Sequence, residues 1–393
     1  MTEKLMDKLN AAAKEDRLNA LKELMNSIKQ RPETGKNVNN HIHTTYSFSP
    51  YSPTMAAYLA WQSGLATAGI MDHDSVGGIK EFIEAGRIIG IAVTVGFELR
   101  TCFKKTPFEG KRINNPDQHT VAYLAMHGIP HDKIEEAEAF LKPYREARNI
   151  RNRLMTKKLC DFVQSAGLKI DFDKDVLPLS MHHEGGSVTE RHILYALAEK
   201  ITEKEKPGKD VIAFLKDKFD IAVTGANYDR LCKDDLWYRY HLLGVLKSHM
   251  VEHFYIDADA ELPHYTEFIK LADSLGAISA YAYLGDVGDS VTGDKKTQRF
   301  EDEYLDELIT FLKDAGFMAI TYMPARNTDS QLKRIMELCR QYEFFEICGE
   351  DINSPFQPFI CKALEREEYK HLIDSAWRLI EHENKSAKAV RSQ

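Results

Sequence analysis

Short apolar runs alternate with amphipathic helical segments in the first hundred residues of the chain. The apolar runs have the length of strands and occupy residues 38–44, 67–71 and 93–98. Between them, residues 54–64 and 78–89 place apolar side chains along one face of a helix. Strand, helix, strand, helix, strand at this spacing predicts right-handed βαβ units with parallel strands. We therefore expect an α/β fold.

The middle of the chain breaks this alternation, and the C-terminal third restores it. Residues 134–166 have the pattern of a helix with an expected break at Pro143, and a polar loop follows at 181–186. From about residue 265 three helices and three strands are again predicted in alternation: helices at 265–275, 302–315 and 329–341, and strands at 277–283, 317–322 and 344–348. One long helical segment is thus expected to interrupt the α/β unit.

Side chains that commonly bind metal ions stand at the ends of three successive predicted strands. His41 and His43 lie at positions i and i+2 of the first strand, so both rings point to the same face. His73 follows the second strand, and Glu98 ends the third. The carboxyl ends of parallel strands gather at the end of a sheet or barrel where active sites lie. We expect these four side chains to converge on one site.

Five sequence blocks, in order along the chain, resemble the motifs of the PHP (polymerase and histidinol phosphatase) metal-dependent phosphoesterases. They are HIHTTYS at 41–47, GIMDHDSV at 69–76, GFE at 96–98, QHTVAY at 118–123 and GEDIN at 349–353. The resemblance extends from about residue 37 to 355 and is strongest to the nucleotide-phosphatase-like branch, which carries a helical insertion. It implies a distorted (β/α)7 TIM-like barrel, known as the PHP fold.

Four zones follow from the resemblance and the hydrophobic pattern together. Residues 1–35 form a charged helical extension that packs outside the barrel. The barrel itself takes residues 36–129 and 251–393, and its second part includes a C-terminal helix. A mainly helical insertion at 130–250 separates the two parts.

The resemblance also implies a cluster of up to three divalent ions. The ligands of the first ion map onto His41, His43, Glu98 and Asp351, all of which this chain retains. Nitrogen and oxygen ligands in this mixture suit Zn, Mn or Fe. One well-matched ion site is therefore expected.

Ligands of the other two ions are only partly matched in this chain. The second ion would use His119 and a further histidine. His119 is a predicted strand residue and could instead be hydrogen-bonded in the core. The further histidine is missing, and the segment in its place offers Tyr281. The third would use His73 with two positions that hold Phe48 and Asn353 here. A second site is thus expected to be incomplete unless nearby carboxylates replace the missing donors: Asp72, Asp74, Asp286 or Asp289. Asp72 could equally cap the helix that follows it.

Two segments predict a binding site for an anionic group. The turn ERHI at 190–193 resembles a family segment and marks Arg191 and His192, and Arg326 follows a predicted strand. Arg191 and Arg326 are expected to bind substrate together with Tyr281 and Asn353. The alternative for Arg326 is a loop arginine in solvent, and the other arginines between 145 and 153 are interpreted as a solvated helix face. Four isolated histidines are interpreted as surface residues: His127, His131, His371 and His382.

Composition narrows the class of protein without identifying it. The net charge of −8 argues against nucleic acid as an obligate partner. Six scattered cysteines without CxxC spacing favour reduced thiols, and no apolar run reaches the length of a membrane span. The Lys/Glu-rich N-terminus does not resemble a signal peptide, so a cytoplasmic enzyme is expected. The net charge does not exclude the small phosphorylated substrate that the resemblance implies, because a local cationic site can lie inside an acidic protein. The oligomeric state is left open.

The resemblance predicts a hydrolase that cleaves a phosphoester of a small molecule or nucleotide with metal-activated water. In that reaction Arg191 and His192 would contact the substrate, and His73 or Asp351 would transfer protons. The alternative is a PHP-like metal protein that binds a phosphorylated or carboxylated ligand with little hydrolysis, because Phe48, Tyr281 and Asn353 replace ligands. An amidohydrolase reaction is a third alternative, although no carboxylated-lysine strand or HxxxxD pattern accompanies the HxH motif.

Overall fold

A computed structural model describes residues 2–233, 235–287 and 299–390, with side chains from residue 5 to 385 in these ranges. Its seven strands form one sheet: β1 (Val38–Ile42), β2 (Thr67–His73), β3 (Ala92–Cys102), β4 (Val121–His127), β5 (Ile278–Ala282), β6 (Ala319–Tyr322) and β7 (Phe345–Cys348). Its helices are α1 (Thr2–Lys8), α2 (Lys14–Ser27), α3 (Pro53–Gln62), α4 (Ile79–Ile89), α5 (Ile134–Val163), α6 (Glu190–Lys204), α7 (Lys209–Phe219), α8 (Gly225–Leu231), α9 (Tyr238–Phe254), α10 (Tyr265–Leu275), α11 (Leu305–Ala315), α12 (Asp329–Gln341) and α13 (Lys370–Val390).

Strand order in the sheet follows the order of the chain, from β1 to β7. β1, β2 and β3 are parallel, and so are β5, β6 and β7, whereas β4 is antiparallel to both of its neighbours. The reversal is possible because the segment from 103 to 120 joins β3 to β4 without a crossover helix. The predicted distorted (β/α)7 barrel is confirmed, with one strand reversed.

The barrel is closed where the segment after β7 meets β1. The His43 N–H donates to the Ile352 carbonyl at 2.9 Å, and the Ile352 N–H donates to the His41 carbonyl at 3.1 Å. The Asn39 side chain bridges the same seam through the Glu350 backbone, at 3.0 and 3.1 Å. Gly349 permits this approach, since a Cβ there would lie 2.5 Å from the Cβ of His41.

Three apolar clusters hold these elements together. A layer of small and aliphatic residues fills the barrel interior: Met71, Ala125, Ile278, Ala280, Ala319 and Ile347. A larger core lies between the strands and the surrounding helices, and a separate core joins α5, α6, α7 and α9. Helix α5 is not broken at Pro143 as the sequence predicted. Its N-terminal half contacts the barrel core and its C-terminal half contacts the core of the other helices, so packing at both ends offsets the lost hydrogen bond.

Helices α1 and α2 pack against the outside of the barrel. Arg17 of α2 donates from Nε to Oε1 of Glu81 in α4 at 2.8 Å, and both side chains are buried. Thr54 of α3 also donates its N–H to Glu81, at 3.1 Å. This buried pair therefore connects the N-terminal extension to two barrel helices. No helix among the described residues is long and apolar enough to cross a bilayer.

Glu301, in the turn before α11, provides a test of this packing through the pH dependence of stability. Its carboxylate is fully buried and accepts the Leu284 N–H at 2.8 Å, and its Oε2 has no hydrogen-bond partner in the described ranges. Burial raises its pKa from 4.5 to about 7. Below pH 4.5 both states hold the proton, whereas between pH 4.5 and 7 only the unfolded state releases it. The free energy of unfolding should therefore fall by up to about 3 kcal/mol as the pH rises from 4.5 to 7.

We predict that Glu301→Gln removes this pH dependence, because glutamine keeps the acceptor oxygen and cannot ionise. Denaturant unfolding at pH 5 and pH 8 should show a smaller decrease for the variant than for the wild type. Glu303→Gln, two residues away and exposed, is the matched control and should behave like the wild type. An equal decrease in the free energy of unfolding between pH 5 and pH 8 in all three proteins would contradict the prediction.

Candidate metal centre

Five predicted metal-binding side chains converge at the mouth of the barrel. The Nε2 atom of His41 lies 3.0 Å from Oε1 of Glu98, and Nδ1 of His73 lies 3.2 Å from Oε2 of the same carboxylate. The Nε2 atom of His43 lies 3.1 Å from Oδ1 of Asp351. Ligand atoms of His41, His43 and Glu98 all lie within 4.8 Å of one another. Side chains from both ends of the sequence thus surround a single point.

The chemistry of this cluster fits a divalent ion. Nε2 of His43 is buried and has no hydrogen-bond partner among the described residues, although Oδ1 of Asp351 lies 3.1 Å away. Imidazole nitrogens and carboxylate oxygens are the ligands that Zn, Mn and Fe accept. His41, His43 and Glu98 could hold such an ion, with Asp351 beside His43, and no metal identity follows from the geometry.

Electrostatics within the cluster favour the ionised form of its acids. Burial disfavours charge on Glu98, but the neighbouring His41 outweighs it and lowers the pKa of Glu98 to about 2. Burial also opposes charge on His41, yet attraction to Glu98 raises the pKa of His41 to about 9. The pKa of Asp351 falls well below its usual range because of His43, despite burial. Burial and His43 lower the pKa of His73 to about 3, so that imidazole is neutral.

Asp72 supports the cluster from behind. Its carboxylate accepts hydrogen bonds from the Thr44 N–H and Oγ1, both at 2.6 Å, and from Ser47 Oγ at 2.7 Å. Ser47 Oγ lies 3.3 Å from Nδ1 of His43. Asp72 therefore neither caps a helix nor joins the cluster. It fixes the loop after β1 and, through Ser47, the ring of His43.

The other three carboxylates considered as replacement donors do not join the cluster in the described structure. Asp74 forms an ion pair with Arg148. Asp286 accepts the Phe300 N–H at 2.6 Å. Asp289 lies outside the described residues.

His119 does not join the predicted cluster. It lies in an exposed turn before β4, and Thr120 beside it has a φ of 64°. The residue of β4 that faces the site is Tyr123, whose ring centroid lies 5.7 Å from that of His73. The prediction was wrong because the strand begins later than the motif match suggested and runs in the opposite direction.

Tyr281 is neither a ligand nor a substrate contact in this structure. Its side chain is fully buried, and its Oη donates to Oε1 of Glu301 at 3.2 Å. Alternate residues of a strand face opposite sides, and the neighbouring Ala280 belongs to the barrel interior. Tyr281 therefore faces the surrounding helices, while Tyr283 lines the cavity above the cluster.

His192 supports helix α6 and is not among the described residues that line the cavity. Its Nδ1 accepts the Thr189 N–H at 2.9 Å, and its ring packs edge-on against Phe48 at 4.9 Å between centroids. Burial, followed by the charge of Arg148, lowers the pKa of His192 to about 3. The predicted catalytic role is therefore wrong for His192, because capping and packing occupy both sides of its ring.

A cavity of about 170 Å³ opens above the cluster and has a cationic rim. Arg191 donates to Oδ1 of Asn353 at 2.7 Å, and Asn353 donates to Oδ1 of Asp351 at 2.6 Å. The predicted substrate-binding residues Arg191, Arg326 and Asn353 all line this cavity. The hydrogen-bond chain connects the rim directly to a candidate metal ligand.

The arginines of α5 are mostly buried and do not form a solvated face. Arg148 lines the cavity and pairs with Asp74, and Arg151 donates from Nε to Oε2 of Glu261 at 2.7 Å. Arg145 donates to the Asp74 carbonyl at 3.1 Å. The spacing of three residues, which places them on one helix face, was the sequence signal for this buried stripe.

His127 is buried in the barrel interior and is not a surface residue. It pairs with Gly96 and Ile278, one layer below the cluster, and within the described part of the chain its Nε2 has no hydrogen-bond partner. Burial lowers its pKa to about 3. The reversed direction of β4 brings its last residue to this depth, which the sequence pattern did not show. His131 and His382 are half-buried, and His371 is exposed.

Comparison with known proteins supports the fold. No protein-family model and no curated protein matches the chain. A candidate metal-dependent phosphoesterase from Bifidobacterium adolescentis has 18% identity and a TM-score of 0.55, covering 90% of this chain and 98% of its own. An amidohydrolase from Chromobacterium violaceum, solved with sulfate and no metal, has 16% identity and a TM-score of 0.55, covering 86% and 96%. The prediction is confirmed at the level of fold: this chain shares its barrel architecture with these two solved structures.

We predict that Glu98→Gln removes bound divalent metal, because the substitution keeps the shape and eliminates the central negative charge. Elemental analysis of protein dialysed against Mn²⁺ or Zn²⁺ would measure the loss. His183→Gln is a suitable control, since that side chain is 61% exposed and outside the cluster. Equal metal content in the wild type and Glu98→Gln would contradict the assignment.

We also predict that Asp72→Asn weakens metal affinity by about 10- to 100-fold without changing which residues are ligands. The amide cannot accept from all three donors as the carboxylate does, so the ring of His43 loses its support. Isothermal titration would give the affinity, and the melting temperature in chelator would report folding separately. An unchanged affinity in a folded variant would exclude this positioning role.

Proposed function

We propose that this protein is a metal-dependent hydrolase that cleaves a phosphoester of a small molecule or nucleotide. The observation that carries the proposal is the opening of the five-residue cluster onto a cavity with arginines at its rim. A cluster of acids and imidazoles suits a divalent ion, while guanidinium groups suit a phosphoryl group. The fold shared with phosphoesterases is consistent with this pairing.

The chain's own residues supply three parts of the reaction. When bound, a divalent ion would lower the pKa of a water molecule and polarise a phosphoryl oxygen. Arg191, oriented by Asn353, donates hydrogen bonds to oxygens that gain negative charge in the transition state. His73 lines the cavity, and its Nδ1 faces Glu98, which leaves Nε2 to accept a proton. Asp351 shares a hydrogen bond with Asn353 and so couples the arginine to the cluster.

The substrate expected from this geometry is small and anionic. The cavity of about 170 Å³ lies between the barrel and helices α5, α6 and α9, which contribute Arg148, Arg191 and Lys247. Phe48 adds apolar surface to the cavity lining. A phosphorylated compound with a compact or planar organic group would match both surfaces.

A second function is a metal protein that binds a phosphorylated or carboxylated ligand with little hydrolysis. This second function is favoured because polar groups of the cavity already bind one another. Arg191 donates to Asn353, and Arg148 pairs with Asp74. Tyr123 and Ala282 on β4 and β5 also add no imidazole or carboxylate to the cluster. Turnover separates the two proposals, because both require metal and ligand binding.

We predict that Arg191→Gln lowers kcat/KM for the best phosphoester by about 100-fold, since it removes a charged donor from the reacting group. The assay would use Mn²⁺-loaded protein and a panel of nucleoside monophosphates, a nucleoside bisphosphate and p-nitrophenyl phosphate. Arg239→Gln is the matched control, because Arg239 of α9 pairs with Glu199 at 2.8 Å and does not line the cavity. Binding without turnover of any phosphoester by the wild type would instead favour the second function.

A further inference from the structure

The donors of the candidate metal centre lie on one half of the barrel. His41 and His43 come from the β1 segment, His73 and Glu98 from β2 and β3, and Asp351 from the segment after β7. These strands are neighbours through the closed seam. The three shortest contacts between imidazole and carboxylate are also confined to this half, at 3.0 to 3.2 Å.

The opposite half of the barrel offers little to a metal ion. The interior positions of β4, β5 and β6 at this depth include Ala125, Ala280 and Ala319, which are fully buried and apolar. Above them, Tyr123 and Ala282 face the cavity. The imidazole of His127 faces the interior one layer deeper, beside Gly96 and Ile278, and is not among the described residues lining the cavity.

Two carboxylates near the cluster, Asp74 and Glu190, are already paired with cations, and Asp117, which also lines the cavity, is an exposed residue of the loop before β4. Asp74 forms an ion pair with Arg148, which is 6% exposed. Glu190 lies 3.7 Å from the Lys247 ammonium and 3.9 Å from the Arg148 guanidinium. Arg148 lines the cavity and pairs with Asp74, the residue after His73, so its positive charge lies on the His73 side of the cluster. The positive charge of Arg148 would repel a second cation bound nearby.

Two ions in a binuclear site lie about 3.5–4 Å apart and usually share a bridging carboxylate. Glu98 could bridge, because its two oxygens face different histidines. A second ion on the Oε2 side would then have His73 as its one further imidazole or carboxylate ligand among the described side chains of the cluster. Two protein ligands are fewer than a stable transition-metal site uses.

We infer that this chain holds one divalent ion, bound by His41, His43, Glu98 and Asp351, and that His73, whose Nδ1 lies 3.2 Å from Oε2 of Glu98, is not the ligand of a second ion. The inference rests on the metal dependence proposed above and adds the stoichiometry of the centre. Arg148 supplies the second positive charge of the site in place of an ion.

Metal stoichiometry tests the inference without any activity measurement. Apo protein prepared with chelator would be titrated with Mn²⁺ by isothermal calorimetry, and the loaded protein analysed by elemental analysis and electron paramagnetic resonance. One equivalent and an uncoupled Mn²⁺ spectrum are expected. Two equivalents with spin coupling between neighbouring ions would overturn the inference and leave the metal-dependent function standing. No binding would overturn the proposed function itself.

A pair of variants at Tyr123 tests why the site stops at one ion. Tyr123→His adds an imidazole on β4, beside His73, and should allow a second, weaker equivalent of Mn²⁺ with measurable spin coupling. Tyr123→Phe adds no donor and should remain at one equivalent. A single equivalent in folded Tyr123→His would overturn the claim that missing donors on β4 set the stoichiometry. A drop below one equivalent in Tyr123→Phe would show that the phenol is itself a ligand.

Discussion

The close approach of β1 and the segment after β7 is the constraint on which the site depends. Gly349 has no side chain, and any Cβ there would overlap the Cβ of His41. The backbone hydrogen bonds between Ile352 and the β1 segment then fix the register. That register sets Asp351 beside His43, although the two residues are separated by most of the sequence. Closing the barrel and assembling the ligand set are therefore one event.

This site places several ionisable groups in a buried environment. Neighbouring imidazoles and hydrogen-bond donors compensate for their charges. Glu98 and Asp351 remain ionised because they contact imidazoles, and Asp72 behind them accepts three hydrogen bonds. An ionised carboxylate without such partners would cost several kcal/mol to bury. Each buried arginine of α5 likewise has a carboxylate or carbonyl partner. Charge is thus balanced locally, both in the cluster and along α5.

Sequence reasoning predicted the site best where a motif and a strand direction agreed. His41, His43 and Glu98 could be placed because alternation along parallel strands determines which side chains share a face. His119 and His127 could not, because the reversal of β4 depends on a loop whose path no periodicity reveals. Tyr281 was misplaced by a single residue, which in a strand moves the side chain to the opposite face. Burial of the α5 arginines depends on tertiary partners such as Asp74 and Glu261, which lie far away in the sequence.

The helices between β4 and β5 determine what the barrel mouth can bind. A bare barrel end would expose the cluster to water, whereas here α5, α6 and α9 contribute Arg148, Arg191 and Lys247 to one cavity wall. Phe48 extends from the loop after β1 into the apolar core of those helices, so the loop that carries His43 is also packed against them. Movement of the helices would therefore disturb both the cationic rim and the ligand geometry. Ligand binding and metal binding are expected to be coupled through this shared packing, because both depend on the position of the loop after β1.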